Sequence, residues 1–366
     1  MRILLLGEYS NVHWTLAQGL RKLGHEVTVV SNGDFWKNYP RDIDVARRPG
    51  KLGGICLYLK ILALLPKLKG YDIVQLINPI FFELKAERLS GIYERLKKQN
   101  GKIVLGAFGM DYYWVNENRT RKPLRYSDFN IGDKLRDTDD TRKEIADWIG
   151  TAKQRLNQQI ARECDAIVTG LYEYQACYGP LFPDKTTFIP FPIVGDGNAT
   201  IQEKRDKGTP LRIFIGINKS RSEYKGTDIM LRAARGVAAD MPEKLRLTVV
   251  ENMPFNEYRK MMLGSDAIVD QLYSYTPSMN PLEAMSHGLI CIGGGEPENY
   301  EILGETELRP IINVEPNYDS VYSEIKRLAL SPERIPVLQN QSIEYTRRHH
   351  DYIKVARRYE KLYKSL

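Results

Sequence analysis

The chain has 366 residues, long for a single core and suited to two α/β domains. Hydrophobic residues make up 42% and charged residues 27%, with no apolar run near the length of a membrane span, which is the composition of a soluble globular protein. Cys56, Cys164, Cys177 and Cys291 lack any C-x-x-C spacing, so neither a zinc site nor a disulfide framework is expected.

Arg2 to Leu6 reads as a buried strand rather than a signal peptide, which makes a reducing cytoplasm the expected compartment and empties the Asn198-Ala-Thr200 sequon of meaning. Trp14 to Leu23 reads as a helix closed by Gly24, and Glu26 to Ser31 as a second strand, completing a βαβ unit. Between Lys37 and Lys69, eight basic residues stand against Asp42 and Asp44, a concentration of the net charge of +7. Within that stretch Ile55 to Leu65 is an apolar helix too short to span a bilayer. It reads either as a helix packed on the sheet with a solvated basic rim or as a peripheral contact with an anionic membrane, at its inner face. The patch matches no nucleic-acid module, and no nucleic-acid partner is expected.

Strands follow at Ile73 to Ile77, Lys102 to Leu105, Ala166 to Thr169 and Thr187 to Ile189, with a helix from Glu87 to Lys98. Strands alternating with helices imply a parallel sheet covered on both faces. Gly195 to Gly208 is polar and glycine-containing, a linker composition. The rhythm restarts with the strand Leu211 to Ile215, the helix Thr227 to Val237 and the strand Leu245 to Val250, then strands at Asp266 to Asp270 and Leu289 to Ile292. Tyr345 to Tyr363 closes the chain as one amphipathic helical pattern.

Between the last two strands, a Pro/Ser/Asn turn opens a short helix. The free N–H groups of Ser278, Met279 and Asn280 could hold a phosphate there, and Glu283, one turn in, could accept hydrogen bonds from ribose hydroxyls. Pro281-Leu-Glu-Ala-Met-Ser-His-Gly288, followed by an apolar strand and glycines, resembles the donor-site signature of GT-B glycosyltransferases, specifically retaining family 4. That family carries two glutamates eight positions apart, the second followed by Ala-Met. Glu283 matches the second, while the first falls on Tyr275, which is not a carboxylate.

The resemblance implies an α/β fold of two Rossmann-like domains with a central cleft and a C-terminal crossover helix. Residues 1–194 would bind the acceptor, 195–208 link, 209–344 bind the nucleotide-sugar donor, and 345–366 pack back on the first domain. Lys219 and Lys225, in a polar loop that by itself reads as solvated surface, match the family's basic pair for the diphosphate; Arg221 is the alternative cation. The nucleobase would lie against the loop holding Asn252 and Met253, and Tyr275 would meet the donor sugar.

Acceptor-side candidates are Tyr9 and Asn11 in the loop after the first strand, with His13 as a catalytic-site residue or a helix-start side chain. Asp111 and Tyr112 follow another strand; Asp111 reads equally as a catalytic group or a helix cap, and the aromatics beside it as sugar-stacking or core residues. The implied activity is metal-independent glycosyl transfer with retention, without cofactor, from a nucleoside diphosphate sugar to a glycan or lipid-linked acceptor in polysaccharide biosynthesis. The other reading is a nucleotide-sugar-binding protein without transfer activity. A nucleotide-sugar epimerase would need a G-x-G-x-x-G fingerprint that is missing after the first strand.

Overall fold

The structure is a computed structural model. It describes the chain except for Lys51, residues 196–198, 200–205, 207, 219–220 and 252–254, and the side chains of Phe255 and Asn256. By internal packing the described residues form two units: Met1–Pro123, Arg142–Pro192 and Tyr352–Leu366 make the first, Leu124–Thr141 and Ile193–Asp351 the second.

In chain order the elements begin with β1 (Arg2–Leu6), α1 (Val12–Lys22), β2 (Glu26–Ser31), β3 (Ile43–Asp44), α2 (Gly53–Leu64), β4 (Ile73–Leu76), α3 (Ala86–Gln99), β5 (Lys102–Ala107) and α4 (Tyr112–Arg119). The chain then enters the second unit with the hairpin β6 (Asn130–Ile131) and β7 (Lys134–Leu135). It continues with α5 (Asp139–Trp148), α6 (Ala152–Glu163), β8 (Ala166–Thr169), α7 (Tyr172–Tyr178) and β9 (Thr186–Phe188). The remaining strands are β10 (Leu211–Ile217), β11 (Leu245–Glu251), β12 (Ala267–Val269), β13 (Ile290–Gly293) and β14 (Ile312–Asn313). Between and after them run α8 (Ser222–Lys225), α9 (Thr227–Asp240), α10 (Phe255–Leu263), α11 (Met279–Ser286), α12 (Pro297–Leu303), α13 (Tyr318–Leu330), α14 (Arg334–His349) and α15 (Tyr352–Ser365).

The first unit's sheet is parallel, in the order β3-β2-β1-β4-β5-β8-β9. Its interior strand β1 buries Ile3, Leu4, Leu5 and Leu6 alike, which is why it reads as an unbroken apolar run and not an alternating one. Helix α1 starts two residues before the apolar pattern does, because the Glu8 carboxylate accepts the N–H groups of His13 (3.2 Å) and Trp14 (2.9 Å). Gly19 lets α15 approach α1: a Cβ there would lie 2.4 Å from the Tyr352 carbonyl oxygen.

The single helix expected over Tyr345 to Tyr363 is broken. The Ile193 N–H takes the His350 carbonyl at 2.7 Å and Ile193 bridges to Asp351, so α14 ends and the chain restarts as α15, which belongs to the first unit. Helix α2 buries Gly53, Leu57 and Ile61 and leaves Ile55 and Leu59 at 46% and 59% exposure, with Leu52 just before it at 71%. Among the described residues no helix is long and apolar enough to cross a membrane.

The second unit's main sheet is also parallel, in the order β11-β10-β12-β13-β14. In both sheets the strand order reverses beside the first strand of the unit, between β1 and β4 and between β10 and β12. At such reversals the loops leaving the carboxyl ends diverge and open a ligand crevice.

Candidate functional site

In the second unit the reversal lies between β10 and β12, and the loops that follow them are stitched together. The Leu272 N–H donates to the Lys225 carbonyl at 2.9 Å. Gly226 has φ +71°, and a Cβ on it would lie 2.6 Å from Leu272 Cβ, so only glycine serves here. Lys225 closes α8 at this seam with its charge on Asp270, the first residue past β12, whose carboxyl burial pushes up to about 6 against the pull of that lysine.

The segment 124–141 packs on the same loops. Arg136 donates to the Tyr224 and Glu223 carbonyls (3.0 and 2.8 Å) and lies 3.5 Å from the Tyr273 ring, while the Tyr224 hydroxyl donates to Asp128 at 2.8 Å. Arg221 is drawn over the Tyr224 ring at 5.2 Å. Sequence pattern alone gives no reason to join residues near 130 to residues near 225.

Helix α11 forms where the Pro/Ser/Asn turn calls for it. Ser278 is its N-cap residue yet makes no side-chain cap, so the first N–H groups are left for an external acceptor. Met279, Leu282, Ala284 and Met285 are buried; Ser278, Asn280, Glu283 and His287 are half-buried along the other face. Glu283 accepts the Arg259 Nε–H at 2.7 Å, and Arg259 also meets His287 Nε2 at 3.1 Å. The Asn280 amide donates to the Tyr258 hydroxyl at 3.0 Å. Tyr258 lies edge-on to Phe214, and a Cβ at Gly216 would come within 2.5 Å of its ring. Arg259 and Tyr258, both from α10, are not among the residues expected from the sequence.

Tyr275, which the resemblance sets against the donor sugar, is held among neighbouring side chains. Its side chain is 1% exposed, its hydroxyl accepts the Arg125 N–H at 2.7 Å, and its ring stacks against Tyr126 and under the Arg125 guanidinium. Arg125 is held in turn by Glu296 (2.6 Å) and Glu298, and Glu296 also takes the Tyr126 hydroxyl and the Asn313 amide. The glycines after β13 admit this packing: a Cβ on Gly294 would lie 2.1 Å from the Ser274 carbonyl oxygen.

Lys219, Asn252 and Met253 lie outside the described residues. The carboxyl ends of β10 and β11 frame a surface depression lined by Ile217, Ser222, Asp228, Arg232 and Glu251.

The first unit uses its reversal differently. His13 is buried in the core: its Nδ1–H donates to the Gly7 carbonyl (2.9 Å) and its Nε2 accepts the Gln75 amide (3.1 Å), whose oxygen takes the Tyr363 hydroxyl (2.7 Å). Burial lowers its pKa to about 3, so the ring stays neutral. Asp111 is the cap of α4, with one oxygen on the Trp114 N–H (2.8 Å) and the other on the Tyr178 hydroxyl (2.7 Å). It is fully buried, which pushes its carboxyl up to about 7. Glu8, unremarked in the sequence, is pushed up to about 8 by the same cause.

Tyr9, Asn11 and Tyr112 are half-buried, and Tyr112 is tied by its backbone N–H to Asn157. The Asn11 side-chain oxygen has no hydrogen-bond partner among the described residues.

No family model and no curated protein matches the chain. Solved structures do. Sucrose-phosphate synthase from Thermosynechococcus elongatus is similar over 100% of this chain and 98% of its own, with a TM-score of 0.61 and 14% identity. HepE from Anabaena, in complex with UDP and glucose, matches over 100% of both chains at 0.59 and 12%. The catalytic domain of starch synthase IV from Arabidopsis thaliana, bound to ADP and acarbose, covers 100% of this chain and 98% of its own at 0.58 and 10%. At these identities the likeness is one of fold, and the fold is GT-B, with two Rossmann-like sheets.

Proposed function

We propose that the chain is a glycosyltransferase that takes a sugar from a nucleoside diphosphate sugar and passes it, with retention, to a glycan or lipid-linked acceptor. The observation that carries this reading is the start of α11, which no side chain caps, one turn before Glu283, in the unit where the Lys225 carbonyl is tied to the loop after β12 at the reversal between β10 and β12. A departing nucleoside diphosphate gathers negative charge, and a fixed ammonium with oriented N–H groups stabilises it as it develops. Transfer then needs no metal. Glu283 accepts the ribose hydroxyls in place of the Arg259 guanidinium that holds it in the free protein. The base lies toward the depression at the ends of β10 and β11, and UDP and ADP in the similar structures make these the first nucleotides to test.

In the first unit Tyr9, Asn11 and Tyr112 serve the acceptor, an idea supported by the unmet Asn11 oxygen. The exposed stripe Leu52, Ile55 and Leu59, with Lys60 and Lys67 exposed beside it, favours contact with an anionic bilayer from the cytoplasmic side. Sedimentation with anionic vesicles, lost in an Ile55→Ser, Leu59→Ser variant, tests that part.

The donor reading is tested by melting the protein with UDP-glucose, ADP-glucose and GDP-mannose in turn, then assaying transfer with and without EDTA. One donor should raise Tm and be consumed in either buffer. Binding without turnover over a broad acceptor panel would favour the non-catalytic alternative, and no shift with any donor would refute the assignment.

A further inference from the structure

With Tyr275 buried in packing, the second unit needs another group to hold the donor sugar. A sugar attached to a diphosphate at Lys225 presents neutral hydroxyls, which are best held by an acceptor of two hydrogen bonds close to the phosphates. Among the described residues the charge of Lys225 acts on two carboxylates, Asp128, which already takes the Tyr224 hydroxyl, and Asp270, at the end of β12.

Its setting is specific. Asp270 is anchored by its backbone N–H on the Ile292 carbonyl (3.1 Å), and Gly293 lies alongside, where a Cβ would stand 3.5 Å from Asp270 Cβ. Two residues on, Leu272 is tied to the Lys225 carbonyl. The end of β13 and the loops after β10 and β12 therefore meet at this residue, whose side chain is half-buried rather than sealed. Among the described residues the carboxylate meets the Gln271 N–H and the charge of Lys225, and burial pushes its pKa up, as expected of a carboxylate with acceptor capacity left over. Asp266, at the other end of the same strand, shows the contrast: it is buried and fully engaged by Arg212 through two guanidinium bonds (3.2 and 2.8 Å) and a backbone N–H (2.8 Å).

We infer that Asp270 is the specificity-determining residue for the donor sugar, accepting hydrogen bonds from its hydroxyls while Lys225 holds the diphosphate. This rests on the glycosyltransferase reading above.

The test separates sugar from nucleotide. UDP and UDP-glucose, ADP and ADP-glucose, and GDP and GDP-mannose are titrated calorimetrically as pairs against wild type, D270N and D270E, using the pair that binds wild type most tightly. In D270N the affinity gained from the sugar should fall at least tenfold relative to wild type. The free diphosphate should bind as well or more tightly, since a like charge has left its neighbourhood. D270E, which keeps the charge, should recover part of the gain. Parallel loss of both affinities in D270N would mean that Asp270 only positions Lys225, an unchanged pair would mean that the sugar lies elsewhere, and failure of D270N to fold would mean that the carboxylate is structural; each overturns the inference. If wild type binds no member of any pair, the glycosyltransferase reading itself falls.

Discussion

The two units reverse their strand order in the same way and spend the resulting crevice differently. At the carboxyl ends of the first sheet, Glu8, His13 and Asp111 are all buried and satisfied by the protein itself, two of them as caps of helix starts and one inside a chain through Gln75 to Tyr363. At the corresponding place in the second sheet, Ser278, Asn280, Glu283 and Asp270 are half-buried, and α11 starts without a side-chain cap. A helix start capped from within cannot also take an anion, whereas one left open can. The same topology is present in both sheets, and the difference in capping is what the proposed donor site in the second rests on.

The contrast can be broken first in the first unit. His13→Ala should cost about 2–4 kcal/mol of stability, through a cavity and an orphaned Gln75 amide, while a folded population keeps its donor affinity. Paired denaturant and nucleotide titrations check this, and a stable protein with lost turnover would return His13 to catalysis.

Next in size are Lys225→Ala and Glu283→Gln, each expected to weaken nucleoside diphosphate binding by about 1–3 kcal/mol, or roughly five- to 150-fold, with unfolding curves close to wild type. Unaltered binding isotherms for both would remove the basis for assigning the site to the second unit.

Proton linkage sharpens the comparison further. Glu8, raised from 4.5 to about 8, and Asp111, raised from 3.8 to about 7, keep in the fold protons that the unfolded chain releases. Their contribution is complete below the unfolded values and is lost as pH rises through 7 and 8. His13, lowered from 6.5 to about 3, acts oppositely, because the unfolded chain takes up a proton below 6.5 and stability falls toward acid. Above pH 6.5 the opposing His13 term fades and the carboxyls dominate, so toward pH 8 wild type should lose stability by up to ~1.4 kcal/mol per pH unit for each group. Chemical denaturation across that range should give a flatter profile for Glu8→Gln; an equally steep one would remove Glu8 from the account. The smallest effect belongs to Tyr275→Phe, which removes the bond from the Arg125 N–H and should cost ~1 kcal/mol without altering donor preference. A changed sugar preference in transfer assays would bring Tyr275 back to the donor.

Much of the fold was legible because β1, β4, β10 and β12 are buried on both faces and write themselves as apolar runs bounded by glycine and polar turns. The opening of α11 was legible for the same local reason. What escaped depends on distant partners. The start of α1 needed Glu8 five residues away, and the break between α14 and α15 needed Ile193, far back in the chain. The place of Tyr275 was set by Arg125, a residue 150 positions earlier. Asp270 was in plain view as the polar residue ending a strand at a carboxyl edge, but only its neighbours Lys225 and Gly293 distinguish it from an ordinary strand terminator.

Hydrogen–deuterium exchange with and without the tightest-binding nucleotide sugar tests the division of labour between the units most directly. Protection on binding should concentrate in residues 222–226 and 278–283, at the seam beside Lys225 and the open start of α11, with the backbone N–H groups of His13, Trp14 and Trp114 already protected by their carboxylate caps and unchanged. Protection arising instead at the starts of α1 and α4, with 278–283 indifferent to ligand, would contradict the placement of the donor in the second unit.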